Sequence, residues 1–484
     1  MEKATVLDRY TDYRMDIGIE VHVQLNTKTK IFCSCPNQVV ETPNTNICPV
    51  CAGYPGVLPV LNQEVITSAI KAGIGTHCTI AHISEFDRKH YFYPDLPKNY
   101  QITQNDRPIC EYGYVMIKKE DGTEKKIRIR RIHIEEDAGK NMHSDLTNES
   151  YVDLNRTGTP LLEIVTEPDI DNAFEARAYL KALRSIMQYL QISTCNMEEG
   201  AFRADTNISV RKKDATQLGT RCELKNINSF KFIGDAIEYE AERQILAVER
   251  GEKIIQQTRL WNTELRQSFA MRSKENLADY RYCTDPDLSL VQVEQSQIDA
   301  IAKTLPQMPY DRFMRYTKEY NLSEYEADII TQELDLADYF EELMKIRKSK
   351  ACVNWLLRDV LGLLKNEKIT LAQCKVAPNH LASLVGLLED GVINNKAALE
   401  VFALVAKTGD SPEALVEKHG LKQIGSADEL EAIVKQVLVD NAALVEQYKA
   451  GNEKLAGFFV GACMKASGGK GNPKAFQDLL KKLM

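Results

Sequence analysis

The chain has 484 residues, of which 44% are hydrophobic and 27% charged, with a net charge of −8. Two to four domains are expected at this length, with the composition of an ordinary soluble globular protein. The acidic balance excludes a mainly basic nucleic-acid coat, though not a local basic patch, and no apolar run is long enough to cross a bilayer.

The first residues, MEKATVLDRYTDY, have neither an apolar core nor a small-residue cleavage site. No signal peptide is read there, and a cytoplasmic location is expected. Residues 16–25 then alternate without a fault. Ile17, Ile19, Val21, Val23 and Leu25 share one face of a strand; Gly18, Glu20, His22 and Gln24 share the other. Glu20 and His22 would lie about 6.5–7 Å apart on that face, close enough to share a divalent cation. A solvated polar stripe gives the same pattern, so the reading depends on whether other carboxylates converge.

Four cysteines follow: Cys33 and Cys35, then Cys48 and Cys51. The C-x-C, twelve residues, C-x-x-C spacing supplies two thiolate pairs for a tetrahedral zinc ion, and Pro36, Pro43, Gly53 and Gly56 favour the turns it needs. Two disulfides would need an oxidising compartment, and a redox pair would need a βαβ setting that is missing here. A closed four-cysteine site leaves zinc no open position, so its expected role is structural.

Residues 86–94, FDRKHYFYP, join cations to aromatics. Arg88 or Lys89 could hold a phosphate and the rings could stack on a base; a packed loop with exposed charges is the plainer alternative. A hairpin is expected around Asp121-Gly122, with its second strand running into HIEED at 133–137. Simple alternation pairs Glu135 with His133 and sets Glu136 beside Ile132 and Ile134, but the period breaks at Arg130-Arg131, so alternation does not settle the facing. Glu163 closes another apolar stretch. An oxygen-rich set with one histidine favours Mg2+ over zinc.

A helix is expected over 172–191, capped by Asn172 with Glu175 in the capping box. Strand 203–211 places Arg203, Asp205, Asn207, Ser209 and Arg211 on one face. A helix over 232–250 should stop at Gly251. Beyond residues 306–309 the pattern is helical, with helices expected over 324–348, 352–365, 378–390 and 396–408. A joint at 409–412 precedes short helices over 412–419, 427–440, 442–451 and 454–466, a loop at 467–473 and a last helix. Lys465, Lys470, Lys474, Lys481 and Lys482 form a C-terminal basic patch. The common phosphate loop, dinucleotide fingerprint, nucleophile elbow and kinase set are all missing from the sequence.

Longer motifs carry more. IGIEVHVQL (17–25), NTNICPVC (44–51), YPGVLPVLN (54–62), FDRKHYFYPD (86–95), HIEEDAGK (133–140), GTPLLEI (158–164), MEEG (197–200), ELKNINS (223–229) and GACMKAS (461–467) resemble the GatB family, the B subunits of tRNA-dependent amidotransferases. The resemblance covers nearly the whole chain. It implies an α+β fold: a mixed or antiparallel-sheet cradle domain over 1–305 with the zinc loop, a helical domain over 306–408, and a helical tail over 409–484 that docks tRNA, with Lys465, Lys470 and Lys474 as candidate contacts. It implies work in a heterotrimer with a GatA amidase subunit and a GatC subunit. Ammonia from glutamine would replace a phosphate that ATP installs on the side-chain carboxylate of Glu-tRNA(Gln) or Asp-tRNA(Asn).

Carried over by residue, the resemblance puts Mg2+ on His22, Glu136 and Glu163 with Glu20 beside them, against the simple alternation. It makes Lys89, Arg203 and Asp205 candidates for ATP or phosphate binding. One segment departs: YRYCTDPDL at 280–288 stands where the family usually has YRYFPEPDL, which lowers the weight of Asp285 and Asp287 as site residues. Two alternatives remain at this point: a tRNA-binding scaffold without the phosphorylation step, and an unrelated metal-dependent hydrolase, which would leave the helical tail unexplained.

Overall fold

Alternating apolar residues build the first half. Strand β1 (Tyr13–Gln24) buries Ile17, Ile19, Val21 and Val23 and keeps Glu20 and His22 on the opposite face. The computed structural model describes residues 5–144, 147, 149–271, 280–423, 427–449, 455–468 and 471–484. Two compact units result, residues 1–314 and 315–484.

In the first unit β1 lies centrally in a nine-stranded sheet. The other strands are β2 (Thr79–Ile80), β3 (Cys110–Lys118), β4 (Glu124–Glu136), β5 (Pro160–Thr166), β6 (Phe202–Lys212), β7 (Cys222–Lys225), β8 (Thr258–Asn262) and β9 (Gln267–Ala270). Their order is β9-β8-β7-β6-β1-β5-β4-β3-β2, antiparallel at every pairing except β7 with β8. The α+β class is therefore as expected.

Helices α1 (Gln63–Gly75), α2 (Ala173–Tyr189) and α3 (Phe230–Glu249) supply the apolar layer. Ile66 and Ile70 of α1, Leu180, Leu183 and Met187 of α2, and Ile233 and Ile237 of α3 join the core under the sheet. Burying each such side chain contributes roughly 1.5–3 kcal/mol. Asn172 caps α2, accepting from Glu175 N at 2.9 Å, while Glu175 itself turns to Lys125. The helix α1 lay outside the expected elements. A second, small sheet joins Asp87–His90 to Tyr100–Thr103 and to Arg281–Thr284.

One irregularity positions the site. Val165 pairs with Arg131, yet the next residue, Thr166, pairs with Ile129, so Arg130 is the extra residue of a β-bulge. The bulge slips the side-chain phase by one. Ile127 and Ile129 before it and Ile132 and Ile134 after it all enter the same core. Arg131, His133 and Glu135 are thereby left on the face that carries His22.

The second unit is helical. The helix expected over 324–348 divides into Glu324–Thr331 and Leu334–Ile346, because Glu333 adopts extended backbone between them. The segment 350–367 stays continuous but contains a π-turn at Leu356–Val360. Toward the C-terminus, helices Ala427–Asp440, Leu455–Ala466 and Pro473–Leu483 enclose a core of their own around Val434, Phe459, Cys463 and Phe476. Gly471 seats this core: a Cβ there would stand 2.0 Å from the Phe476 ring.

Candidate active site and metal centres

The register of the sheet arranges the polar face in rows. One row runs Arg203, His22, Glu163, His133 across β6, β1, β5 and β4. The next runs Asp205, Glu20, Val165, Arg131. Directly opposed residues share a face, so these side chains converge although they come from four separate segments.

His22, Glu135 and Glu163 form the tightest group, with one ligand atom from each within 4.8 Å of the others. His22 Nε2 lies 3.3 Å from Glu135 Oε1 and 3.5 Å from Glu163 Oε2. His133 Nε2 is 3.2 Å from the same Glu163 oxygen, while its buried Nδ1 has no hydrogen-bond partner among the described residues. Burial works against a charged His22, but the bonds to Glu135 and Glu163 prevail and push it up to about 10. Glu163 is likewise opposed by burial and held well below the usual carboxylate range by His133 and His22. Two carboxylates facing two imidazoles on one sheet face form a donor set that a divalent cation fits, with one imidazole and two carboxylate oxygens as ligands.

The expected ligand Glu136 is not in this group. It alternates to the opposite face of β4, where it is buried; its Oε1 accepts from Ile102 N at 2.9 Å and pairs with Lys98 Nζ. Glu135 takes its place, as the alternation from His133 requires once the bulge is known. Glu20 lies one row away; its Oε1 accepts from Asn207 Nδ2 at 3.0 Å. Burial first, then Glu163, Glu223 and Asp205, push its carboxyl up.

The remaining expected residues divide. Arg203 donates to Asp137 Oδ2 at 3.0 Å, and Asp205 accepts from Lys225 Nζ at 2.9 Å, so both are engaged within the sheet. Lys89 is set over the Tyr280 ring at 4.7 Å. Arg88, its alternative, is committed to Asp285 at 3.0 Å and Asp287 at 2.6 Å. Those two acids, in the segment that departs from the family pattern, thus fasten the strand Arg281–Thr284 to Asp87–His90. Lys225 was not among the expected site residues, and His133 entered only as the start of the HIEED segment.

The four cysteines are all free thiols, and Cys33, Cys35, Cys48 and Cys51 bring their sulfurs within 4.8 Å of one another. Cys48 and Cys51 are 3.8 Å apart sulfur to sulfur. A hydrogen bond from Cys33 pulls the Cys51 thiol down to about 5 against burial, with the Cys48 backbone and Lys30 helping. Its partners move the other way: Cys33 rises, first through Cys51, and Cys35 is pushed up to about 11, first by burial. Four sulfurs brought this close form a donor set that a tetrahedral dication fits.

In the second unit Lys465 and Lys474 are exposed, whereas Lys470 lies outside the described residues. Among the described residues no helix is long and apolar enough to cross a membrane.

An α+β sheet protein with a carboxylate–imidazole centre, a separate four-thiol centre and a helical second unit is the class so defined. The GatB/GatE catalytic domain family model matches residues 15–299, and a GatB domain model matches 338–484. The chain belongs to the GatB/GatE family. Among curated relatives, the B subunit of the aspartyl/glutamyl-tRNA(Asn/Gln) amidotransferase of Persephonella marina is 49% identical over 470 residues, covering 97% of this chain and 98% of the relative. The proteins of the same name from Thermodesulfovibrio yellowstonii and Brachyspira hyodysenteriae are 47% and 46% identical, covering 98% of this chain and 99% of each relative.

Proposed function

We propose that this chain is the tRNA-side subunit of a glutamine-dependent amidotransferase, converting Glu-tRNA(Gln), Asp-tRNA(Asn) or both to the amidated form. The convergence of His22, Glu135 and Glu163 on the polar sheet face carries the reading. A free carboxylate is a poor acyl donor, and phosphorylation by ATP gives it a leaving group that ammonia can displace. His22, Glu135 and Glu163 would hold Mg2+, which when bound would neutralise phosphate charge during that transfer. Glu20, one row away, would stand beside that centre. Lys89, Arg203 and Asp205 would border the nucleotide, and no protein nucleophile is needed.

Zinc in the four-cysteine centre would hold the loop that follows β1. Ammonia would come from a GatA amidase subunit in a heterotrimer with GatC. The tail, with Lys465, Lys470 and Lys474, would contact the tRNA body as a separate domain after the helical segment, and the complex would work in the cytoplasm.

The test uses the assembled enzyme with mischarged tRNA, ATP, Mg2+ and glutamine. Glu135→Gln should abolish the amidated product while glutamine hydrolysis continues. Normal yield from that variant would overturn the assignment of the centre; no product from the wild-type enzyme with either mischarged tRNA would leave the scaffold reading in its place.

A further inference from the structure

The cations around the sheet's polar face fall into two groups. Arg203 and Lys225 each have a carboxylate partner, in Asp137 and Asp205. Among the described residues Lys89 and Arg131 have none within ion-pair distance. Lys89 rests on aromatic rings, and Arg131 makes one long bond, Nη1 to the Asn105 carbonyl at 3.4 Å. Glu111 opposes Arg131 across the β3–β4 pairing, yet the two form no ion pair.

Sequence alternation alone would not aim Arg131 at the site. Counting from Ile127 and Ile129 it belongs to the buried phase; the bulge at Arg130 moves it to the polar face. There it stands two residues from His133 along β4, about 6.5–7 Å away, and in the row beside Glu163. Tyr282 is paired with Lys89 across the strands of the small sheet, and burial pushes its phenol up while Lys89, Arg131 and Glu163 act on it. Lys89, paired with this phenol, and Arg131, in the row beside Glu163, are thus the two cations without carboxylates whose charges reach Tyr282.

We propose that Arg131, together with Lys89, receives a phosphate group of the substrate beside the carboxylate–imidazole centre, which makes Arg131 a binding residue that the bulge exists to deliver. The inference rests on the amidotransferase reading above. A half-buried guanidinium lacking an acid is stabilised by an anion that arrives with the substrate, and its planar fork matches two phosphate oxygens. Lys89 adds a point charge. The phosphate could belong to the nucleotide or to the acceptor end of the tRNA; both present the same chemistry.

The experiment compares wild type, Arg131→Gln, Arg131→Lys and the neighbouring Arg130→Gln in the assembled enzyme. It measures calorimetric binding of ADP with Mg2+, KM and kcat with ATP, KM for mischarged tRNA, and the thermal midpoint. Arg131→Gln should weaken ADP binding and raise KM for ATP about tenfold, with a smaller change in kcat. Arg131→Lys should recover part of this, and Arg130→Gln should behave as wild type. A rise confined to KM for tRNA would assign the phosphate to the RNA. An Arg131→Gln enzyme that folds, binds ADP and uses tRNA as wild type does would overturn the proposal while leaving the amidotransferase reading intact. Should Arg131→Gln fail to fold, Arg131→Lys decides, since it keeps charge without the fork: unchanged binding overturns. A wild-type enzyme that neither binds nucleotide nor forms amide would remove the underlying reading instead.

Discussion

The two candidate metal centres are built in opposite ways. The four cysteines come from a single stretch of nineteen residues, whose turns bring the sulfurs together while Asn44 and Asn46 tie the loop to Asp153 and Asn155. His22, Glu135 and Glu163 come from three strands, and only a correct register with a bulge in it makes them meet. A local centre reports on its loop; a distributed centre reports on the whole sheet. Perturbing each should therefore give different symptoms.

The sharpest contrast is between adjacent residues of β4. Glu135→Gln removes a proposed ligand and should lower amidation at least about a hundredfold, a typical loss when a preorganised charge at a reaction centre is removed. Its effect on the thermal midpoint should be small, since the loss of one partner of His22 is offset by relief of the repulsion between two facing carboxylates. Glu136→Gln does the reverse: it takes a buried acid from half-buried Lys98. Breaking a buried pair on one side costs about 3–5 kcal/mol, which thermal or urea unfolding would register. Should Glu136→Gln instead lose activity with full stability, the ligand assignment would return to the one the family resemblance suggested.

The cysteine centre should lose less. Cys51→Ser in the purified protein should drop bound zinc from about one per chain to none, measured by elemental analysis, because four thiolates complete the site. The β1 core does not depend on that loop, so the expected damage is local: protease cutting within 33–60 and a few kcal/mol at most. Global unfolding of Cys51→Ser would show that the loop supports the sheet more than its position suggests.

The sequence showed the local features and hid the distributed ones. The cysteine spacing, the alternation of β1 and the Asn172 cap are readable because each depends on neighbours in the chain. The choice between Glu135 and Glu136 was not, because it turns on Arg130 being the unopposed residue of a bulge, a fact of pairing with β5. The signal was present: four isoleucines at 127, 129, 132 and 134 keep one face only if the phase slips between them. The family resemblance found the motif and chose the acid that the sheet turns to its other face. The break at Glu333 was hidden for a related reason, since helical periodicity can continue through a single extended residue.

A third carboxylate separates the effect of burial from the effect of company. Glu240 of α3 is as buried as any acid at the centre, yet it is surrounded by donors: Arg243 at 2.6 Å, Arg259 at 3.2 Å, Gln244 at 2.9 Å and Ser268 at 3.1 Å. Burial raises its carboxyl, but Arg243 and Gln244 outweigh that and hold it below the usual range. A carboxyl with a lowered folded-state value adds stability above its unfolded value, near 4.5, and loses it as pH falls through the folded value. Wild-type stability should thus decline below about pH 4.5 with a share due to Glu240. Glu240→Gln keeps the shape while removing the charge, so it should cost roughly 1.5–3 kcal/mol at pH 7 and flatten that decline. Urea unfolding of both proteins from pH 3 to pH 7 reads the difference. Parallel curves would mean that Glu240 titrates alike in folded and unfolded chains, and that its company of cations only offsets its burial.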